Sequence, residues 1–465
     1  MSFTGRNLPV KEVDKVIDGL REQLGDVVYA PGDDEYTKAT RPDNSSYRQQ
    51  PCAVVRARSG EHVAGAVKAA SSSGAVVVVQ ATGHGAAREI GNDQVLVDTS
   101  ALAGVVVDAS INSARIGVGA VWPAVQKKAY AQGLLGLSGT SPTVGVAGYT
   151  FGGGVSWFVR KHGLASSALS RVEYVDGTGV SRCATEDASD PLDREALWAF
   201  RGGAPVGIAT SIEIGLFEIP DLAAGYLLWP ARTLPDVISA WTSATAGVSA
   251  SVSSSLSLLK LPDQGPFPAK LLGTTVVHLS YASADGAAYL EPMRDAVRSA
   301  AVPVVDTTGP ADVEQLSAIH LDPPTAVPAR GIGRWLGPAV TEIANAMFDA
   351  ARIGQPDGLN MIELRNTASQ SVGPRGALTT VPAPFLMHAV GAAVDDNARS
   401  RTDGKLAGVE AAARSADIGR AAPSFCEGQS SVPDGWTPSV RDRLHAIRDA
   451  LDPGRVLTFH RHPDP

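Results

Sequence analysis

The sequence is poor in cysteine, in aromatic residues and in positive charge. Its three cysteines, Cys52, Cys183 and Cys426, lie far apart and form no CxxC pair, so we expect neither a metal site nor a disulfide framework. The net charge of −8 argues against nucleic acid or an anionic membrane surface as a partner. No apolar run approaches the ~20 residues that a membrane span needs, and the N-terminal segment shows no secretory signal. These absences predict a cytoplasmic protein without membrane contact.

The chain has 465 residues, of which 44% are hydrophobic, enough for two or three domains of roughly 150 residues each. Strands and helices alternate up to residue 132, which indicates an α+β domain. Segment 33–50 is polar and is expected to be irregular. After Pro220 the glycine-rich loops end, and further strands and helices predict a second domain up to residue 431.

The first informative stretch combines a strand with a loop of small residues. The β-branched run Val76 to Val79 predicts a buried strand, and Thr82-Gly83-His84-Gly85 follows it. Small residues let a backbone approach a ligand closely and turn successive N–H groups toward an anion. No Gly-Lys-Ser/Thr follows, and the third glycine of a dinucleotide fingerprint is missing. The segment is therefore either an ordinary turn with a surface histidine or a phosphate cradle that carries a reactive side chain.

A second glycine-dense stretch covers residues 136–163. It contains Tyr149, Phe151, Trp157 and Phe158, an apolar content that disordered glycine tracts lack. Such a segment fits a backbone wrapped around a large, flat, phosphate-bearing cofactor. The alternative is a set of irregular loops that cover a sheet edge.

Four motifs in order resemble those of the flavin oxidoreductases of the vanillyl-alcohol-oxidase and berberine-bridge-enzyme type. They are Thr82-Gly83-His84-Gly85, Ser141-Pro142-Thr143-Val144-Gly145 with Gly152-Gly153-Gly154, Leu197-Trp198-Ala199-Phe200-Arg201-Gly202-Gly203, and Asp452-Pro453-Gly454-Arg455-Val456-Leu457. Within this family the chain resembles bacterial members of antibiotic pathways, such as the mitomycin-resistance oxidase and the enterocin favorskiase. The resemblance lies in His320-Leu321-Asp322-Pro323-Pro324, in the strand with Glu363-Leu364-Arg365, and in Tyr149 after Gly148. The Asn-Tyr-x-Asn signature of many members is absent between residues 422 and 440, so their catalytic bases do not transfer.

The resemblance implies an α+β fold with two parts. A two-subdomain PCMH-type FAD-binding domain is expected over residues 1–219 and is completed by residues 432–465. A substrate-binding domain, a sheet covered by helices, is expected over residues 220–431.

The resemblance also implies FAD as the cofactor, bound covalently through His84. Many members add a second link from a cysteine at the position of Ser141, so a single link is expected here. The remaining residues expected at the cofactor are Gln80, Ala81, Thr82, Gly83, Gly85, Ala86, Ser141, Thr143, Val144, Gly145, Gly148, Gly153, Gly154 and Ile208.

Glu363 is the first candidate for a catalytic base. It lies in an otherwise apolar strand, where burial would raise the pKa of its carboxyl group; the alternative is a structural ion pair with Arg365. Tyr149 is either close to the flavin or a packing aromatic. Arg365, Phe385 and His388 are candidates for the substrate pocket.

His320 and Asp322 form a possible dyad. The two prolines that follow Asp322 indicate a helix-ending loop equally well.

Three functions compete at this stage. The first is an oxidase of a small organic molecule, which passes hydride to flavin N5 and is reoxidised by dioxygen, in antibiotic metabolism or drug resistance. The second is a dehydrogenase with another electron acceptor. The third is a binding protein that sequesters a drug. The small residues Val146 and Ala147 favour access of oxygen to the flavin and therefore favour the oxidase. The protein is expected to be a monomer or a homodimer.

Overall fold

Three larger sheets organise the chain in a computed structural model that describes residues 9–323, 325 and 327–460. The extreme ends of the expected FAD-binding domain, residues 1–8 and 461–465, lie outside the described residues. The mixed helix and sheet content confirms the expected α+β class. No helix in the described part of the chain is long and apolar enough to cross a membrane.

The first sheet is mainly parallel and contains the strand before the first loop. Its five strands lie in the order Val28–Tyr29, Ala53–Arg56, Gln94–Asp98, Val76–Gln80 and Leu457–Thr458. Valine dominates these strands because both faces of a parallel sheet are covered. Helices Val10–Leu24 and Gly60–Ser73 supply apolar side chains to its core. The strand near the C-terminus pairs in parallel with residues 77–78, so the end of the chain completes the first sheet.

The second sheet is antiparallel. Its five strands lie in the order Val105–Asp108, Ser113–Gly117, Ile208–Gly215, Leu169–Val175 and Ser181–Ala184. Its core takes side chains from helices Trp122–Tyr130, Val146–Phe151, Pro191–Phe200 and Pro438–Leu451. A short ribbon pairs Leu134–Leu135 with Phe217–Glu218, and helix Val159–His162 lies at the end of the glycine-dense stretch.

The third sheet has nine strands. Eight lie in the order Val305–Asp306, Ala223–Pro230, Thr275–Ser283, Val252–Lys260, Met361–Asn366, Phe385–Ala392, Ala329–Leu336 and Asp417–Ala421, and Gly309–Pro310 pairs beside the second of them. One face packs a large apolar core under helices Leu234–Thr245, Glu291–Ala300, Val340–Ala351 and Asp396–Ala413.

The opposite face of the third sheet is polar although it is buried. Ser255 and Ser257 pair across the strands with Arg365 and Glu363, and all four side chains are buried. Side chains alternate between the faces of a strand, so this polar row lies on the face without the large helical core. Leu316 of helix Val313–Ala318 packs in an apolar cluster with Ala224 and Ala282 of this sheet.

Two features of the chain differ from the sequence-based expectation. Segment 33–50, expected to be irregular, contains helix Asp34–Ala39, whose Tyr36 hydroxyl donates to the carbonyl oxygen of Pro51. Helix Val146–Phe151 lies within the glycine-dense stretch. In both cases contacts with distant residues stabilise a short helix that the local pattern does not predict.

Candidate active site

The first loop follows strand Val76–Gln80 and makes a tight turn at Gly83. Gly83 has φ 72°, a conformation that a residue with a side chain adopts only at a cost. A Cβ atom there would lie 2.4 Å from Cβ of Pro42. The backbone N–H of Asn44 donates to the carbonyl oxygen of Gly83 at 3.2 Å. The loop is thus fixed against segment 42–44, while His84 stays partly exposed.

Gly83→Ala is expected to displace the first loop and to lower the flavin content of the purified protein at least tenfold. The added methyl group meets Pro42, and alanine in the left-handed region costs about 1–2 kcal/mol. Gly133→Ala is the matched control, because Gly133 also has φ 72°, lies outside both loops, and a Cβ atom there has no neighbour within 4 Å. The measurement is the flavin-to-protein absorbance ratio after gel filtration. Equal ratios for the two variants would contradict the tight contact.

The second loop meets the first one. A Cβ atom at Gly145 would lie 3.7 Å from Cγ2 of Thr82, so the two loops expected at the cofactor are neighbours. Residues 139–145 all keep part of their surface exposed. The hydroxyl groups of Ser141 and Thr143 lie 3.3 Å apart. The chain therefore presents small backbone groups and two hydroxyl groups from adjacent loops.

Glycines in the second loop make room for Tyr149. Gly154 has φ 67°, and a Cβ atom there would lie 2.5 Å from the ring of Tyr149. The ring also packs edge-on against Trp122, with ring centroids 5.5 Å apart. The Tyr149 hydroxyl is buried and has no hydrogen-bond partner among the described residues, and burial raises its pKa. A buried phenol that still has an unused donor fits a site that takes a polar cofactor or substrate.

Most of the residues expected at the cofactor lie on these two loops. Gln80 is buried at the end of the strand, where its side chain bonds Gln49. Ile208 is different, because its side chain packs in the core of the first sheet and its strand pairs it with Val175. Any contact of Ile208 with a cofactor is therefore made by its backbone.

A cluster of charged side chains surrounds Glu363 on the polar face of the third sheet. Oε1 of Glu363 accepts from Nε of Arg365 at 2.6 Å, and Oε2 accepts from Oγ of Ser255 at 2.7 Å. Nε2 of His320 lies 2.8 Å from Oε2, and Nδ1 of His388 lies 3.4 Å from Oε1. The side chain of Glu363 has no exposed surface, so this carboxylate is fully buried and has three cationic neighbours.

The pKa of Glu363 is shifted in the direction opposite to the expectation. Burial alone would raise this pKa, but the charges of Arg365 and His320 outweigh burial and hold it well below its usual range. The sequence-based expectation considered the effect of burial on this pKa but not the effect of the neighbouring cationic side chains. A carboxyl group that stays ionised in this way is a poor proton acceptor, so Glu363 is not suited to act alone as the base. The ion pair with Arg365, the alternative named above, is present.

Two carboxylates extend the cluster outward. Nδ1 of His320 lies 3.0 Å from Oδ1 of Asp322, and Nε2 of His388 lies 3.1 Å from Oε2 of Glu427. Leu321, between His320 and Asp322, has φ 64°, which is rare for a bulky residue. Such backbone strain is concentrated at functional sites. Here the strained residue, Leu321, lies in a turn in which the side chains of His320 and Asp322 are hydrogen bonded.

Arg365 connects the cluster with the second loop. Its Nη2 atom lies 3.5 Å from the hydroxyl oxygen of Thr140, next to Ser141. Its guanidinium group lies 4.9 Å from the ring centroid of Phe425 and 6.0 Å from that of Trp157. These aromatic rings exclude water from the charged groups. The candidate active site therefore lies where the polar face of the third sheet meets the glycine-rich loops.

Phe385 does not belong to this site, although it was expected in the substrate pocket. It lies three positions before His388 on the same strand, so its side chain points to the opposite face. There it packs in the helical core, with its ring centroid 6.0 Å from that of Trp241. The expectation assigned both residues to one pocket without applying the two-residue period of a strand.

The cluster predicts a loss of stability at alkaline pH. Burial would lower the pKa values of His320 and His388, but neighbouring carboxylates outweigh it and raise them to about 9 and about 10. Both values exceed the ordinary histidine value near 6.5, so the stabilisation is complete below about pH 6.5 and is lost as pH rises through the folded-state values. We expect the free energy of unfolding to fall by about 6 kcal/mol between neutral pH and pH 10.

Urea unfolding at a series of pH values measures this fall. His388→Gln is the comparison, because it removes one of the two titrating groups and should reduce the alkaline loss. If the free energy of unfolding fell equally in the variant and in the parent, the histidines would not be the cause of the alkaline loss of stability.

Sequence reasoning underrated His320 and missed Ser255 and Glu427. The alternation of serine along Val252–Lys260 is a signal for a polar strand face, and it could have directed attention to Ser255. Glu427 carries no such signal, because its contact with His388 joins positions 39 residues apart. The contact between His320 and Asp322 depends on the left-handed backbone conformation of Leu321, which the sequence does not indicate.

Comparison with known proteins points to the segment that contains both loops. Residues 51–184 match the family model described as FAD binding domain. The (R)-6-hydroxynicotine oxidase of Paenarthrobacter nicotinovorans is 31% identical over 209 residues, which are 44% of this chain and 44% of that protein. An FAD-dependent monooxygenase of Fusarium proliferatum is 34% identical over 200 residues, 42% of this chain and 38% of that protein. The chain thus matches less than half the length of these curated relatives.

Similarity to solved structures extends over nearly the whole chain. Wild-type BBE-like 1 of Physcomitrella patens superposes with a TM-score of 0.79 at 20% identity, and the match covers 97% of this chain and 99% of that one. Two variants of the grass pollen allergen Phl p 4, one described as a glucose oxidase and the other as a glucose dehydrogenase, each superpose with a TM-score of 0.78 at 15% identity, covering 97% of this chain and 99% of theirs. At these identities the likeness concerns the fold.

Proposed function

We propose, on the premise that this chain carries an FAD binding domain at residues 51–184, that the protein is an FAD-dependent oxidoreductase of a small organic molecule. The observation that carries the proposal is the contact between two parts of the chain. The second glycine-rich loop of the FAD binding domain meets the buried charged cluster of the third sheet through Thr140 and Arg365. A cofactor bound along the loops would lie beside groups able to orient a polar substrate.

The residues of the two loops fit FAD. The turn at Gly83 leaves no room for a side chain, as close backbone contact with a pyrophosphate requires. His84 is partly exposed beside this turn, and its imidazole can form a single covalent bond to the flavin. Ser141 has no sulfur to form a second one. When bound, the flavin supplies hydride acceptance at N5 and, in the oxidase, reoxidation by dioxygen.

The charged cluster positions the substrate. Arg365 presents a guanidinium group held by Glu363 and flanked by Phe425 and Trp157. A fixed guanidinium in a water-poor site favours a substrate with a carbonyl, phenolic or carboxylate oxygen. The Tyr149 hydroxyl, which is buried and has no hydrogen-bond partner among the described residues, offers a second donor. Glu363 keeps Arg365 and two histidines in place and is a positioning residue in this account.

We place the protein among oxidases of secondary metabolism or drug resistance. The oxidase name of one relative supports this assignment. Val146 and Ala147, expected to admit oxygen, pack in the core of the second sheet and do not add to it. A dehydrogenase with another acceptor has the same fold, since one pollen protein has variants described as an oxidase and a dehydrogenase. The two functions differ in how fast dioxygen reoxidises the flavin.

The test is a screen of small phenols, amines and sugars against the purified protein under nitrogen, followed by mixing with air. The proposed oxidase shows bleaching of the flavin spectrum with a substrate and rapid recovery with dioxygen. Bleaching followed by slow recovery would indicate the dehydrogenase. Flavin-free protein that binds a drug without turnover would refute the enzymatic proposal in favour of sequestration.

A further inference from the structure

One segment of the chain, residues 42–47, is hydrogen bonded both to the first loop and to the third sheet. On the side of the loop, the backbone N–H of Asn44 donates to the carbonyl oxygen of Gly83 at 3.2 Å. A second bond of this kind runs from the N–H of Asp43 to the residue before Gly83, at 3.0 Å. The residue after Gly83 is His84, the proposed site of flavin attachment. The segment therefore supports the backbone that carries this histidine.

The side chain of Asn44 makes the contact with the third sheet. Its Nδ2 atom donates to the carbonyl oxygen of Ala329 at 3.1 Å, and its Oδ1 atom accepts from the N–H of the same residue at 3.1 Å. Ala329 begins the strand Ala329–Leu336, and Gly333 of this strand pairs with His388 of the charged cluster. Asn44, which is 4% exposed, thus connects the first loop with the strand that lies beside the cluster.

The two bonds between Asn44 and Ala329 require an amide side chain. An amide presents one donor and one acceptor side by side, and here they match the N–H and the carbonyl group of a single residue. The Oδ1 atom also accepts from the backbone N–H of Ser46 at 3.2 Å and from its hydroxyl at 2.7 Å. Aspartate would lose the donor and place a carboxylate oxygen against the carbonyl oxygen of Ala329. The asparagine side chain is therefore held in one orientation by partners on both sides.

We propose that Asn44 is a positioning residue that holds His84 in place for covalent attachment of the flavin. The proposal rests on the function proposed above, which supplies the FAD and the oxidant. Attachment replaces one C–H bond of a flavin methyl group and one N–H bond of the His84 imidazole by a C–N bond. The two electrons and two protons from these bonds pass through the flavin to dioxygen, which becomes hydrogen peroxide.

Attachment depends on the anchor at Asn44 more strongly than binding of FAD does. Binding uses backbone groups of both loops, and the second loop has its own contact with the domain of the third sheet, where a Cβ atom at Gly153 would lie 3.1 Å from Cδ2 of Leu378. Attachment uses one atom of His84, which is partly exposed, so the backbone of the loop sets its place. A misplacement of about 1 Å costs about 100-fold in the rate of such a step.

The test measures the rate of attachment in protein produced with riboflavin limiting and then mixed with FAD in air. The flavin retained after acid precipitation is followed with time, and the total bound flavin and the Tm are measured beside it. We expect attachment to slow at least tenfold in Asn44→Ala and in Asn44→Asp, with a smaller change in total bound flavin. Tyr47→Phe is the matched control, because it removes another bond between this segment and the domain of the third sheet, from the Tyr47 hydroxyl to Gly428 at 2.6 Å, and leaves Asn44 intact. It should attach flavin at the rate of the parent.

Parent-like attachment in Asn44→Ala, or equally slow attachment in Tyr47→Phe, would overturn the positioning role while leaving the proposed function in place. A parent protein that never attaches flavin would refute attachment at His84, and the positioning role with it. Hydrogen exchange of the parent covers the case in which the Asn44 variants do not fold. The amide hydrogens of Asn44 and Ala329 should exchange slowly, and exchange of both at the rate of an open chain would overturn the inference.

Discussion

Glu363→Gln is expected to lower the free energy of unfolding by about 3–5 kcal/mol, the cost of breaking a buried ion pair from one side. The carboxylate is fully buried and contacts Arg365, His320 and His388. Glutamine has nearly the same volume, so the loss comes from charge. Three cationic groups then share a water-poor site without their central counter-ion. Urea unfolding at neutral pH is the measurement.

Ser255→Ala is the matched control for this variant. It deletes a 2.7 Å hydrogen bond to the same carboxylate but leaves every charge in place, and should cost about 1 kcal/mol. The difference between the two variants should shrink above pH 10, because both histidines lose their charge there. If the free energy of unfolding of Glu363→Gln lay within 1 kcal/mol of that of the parent, the Glu363 carboxylate would not stabilise the three cationic side chains as the distances indicate.

His84→Ala is expected to release the flavin from its covalent attachment without unfolding the protein. The side chain is partly exposed and lies outside the apolar core clusters, so its removal changes little in packing. Acid precipitation should leave the flavin of the parent in the pellet and that of the variant in the supernatant. Ser141→Ala is the control and should retain the flavin like the parent. Flavin that stays in the His84→Ala pellet would place the link elsewhere.

The parts of the fold that could be predicted from the sequence are those set by local pattern. The valine run 76–79 gave a buried strand because β-branched side chains fit a sheet covered on both faces. Alternation along 359–366 placed Glu363 and Arg365 on one face, where they are found in contact. The motif resemblance to FAD-linked proteins is confirmed by the domain match over residues 51–184.

The parts that could not be predicted depend on contacts between distant positions. Strands Ala223–Pro230 and Ala329–Leu336 each lie one strand in from an edge of the third sheet, and no turn signal or strict alternation marks their pairing. Glu427 joins the site through His388 on another strand. The pKa of Glu363 depends on which cations surround it, and burial read from its neighbours in sequence gave the wrong direction.

The most direct test of the central claim is an absorbance spectrum of the purified protein before and after acid precipitation, followed by peptide mapping of the pellet. The account predicts a flavin spectrum, flavin retained in the pellet, and one flavin bond on the peptide that contains His84. Protein without flavin, prepared with FAD available throughout, would contradict the claim that this chain is an FAD-dependent oxidoreductase.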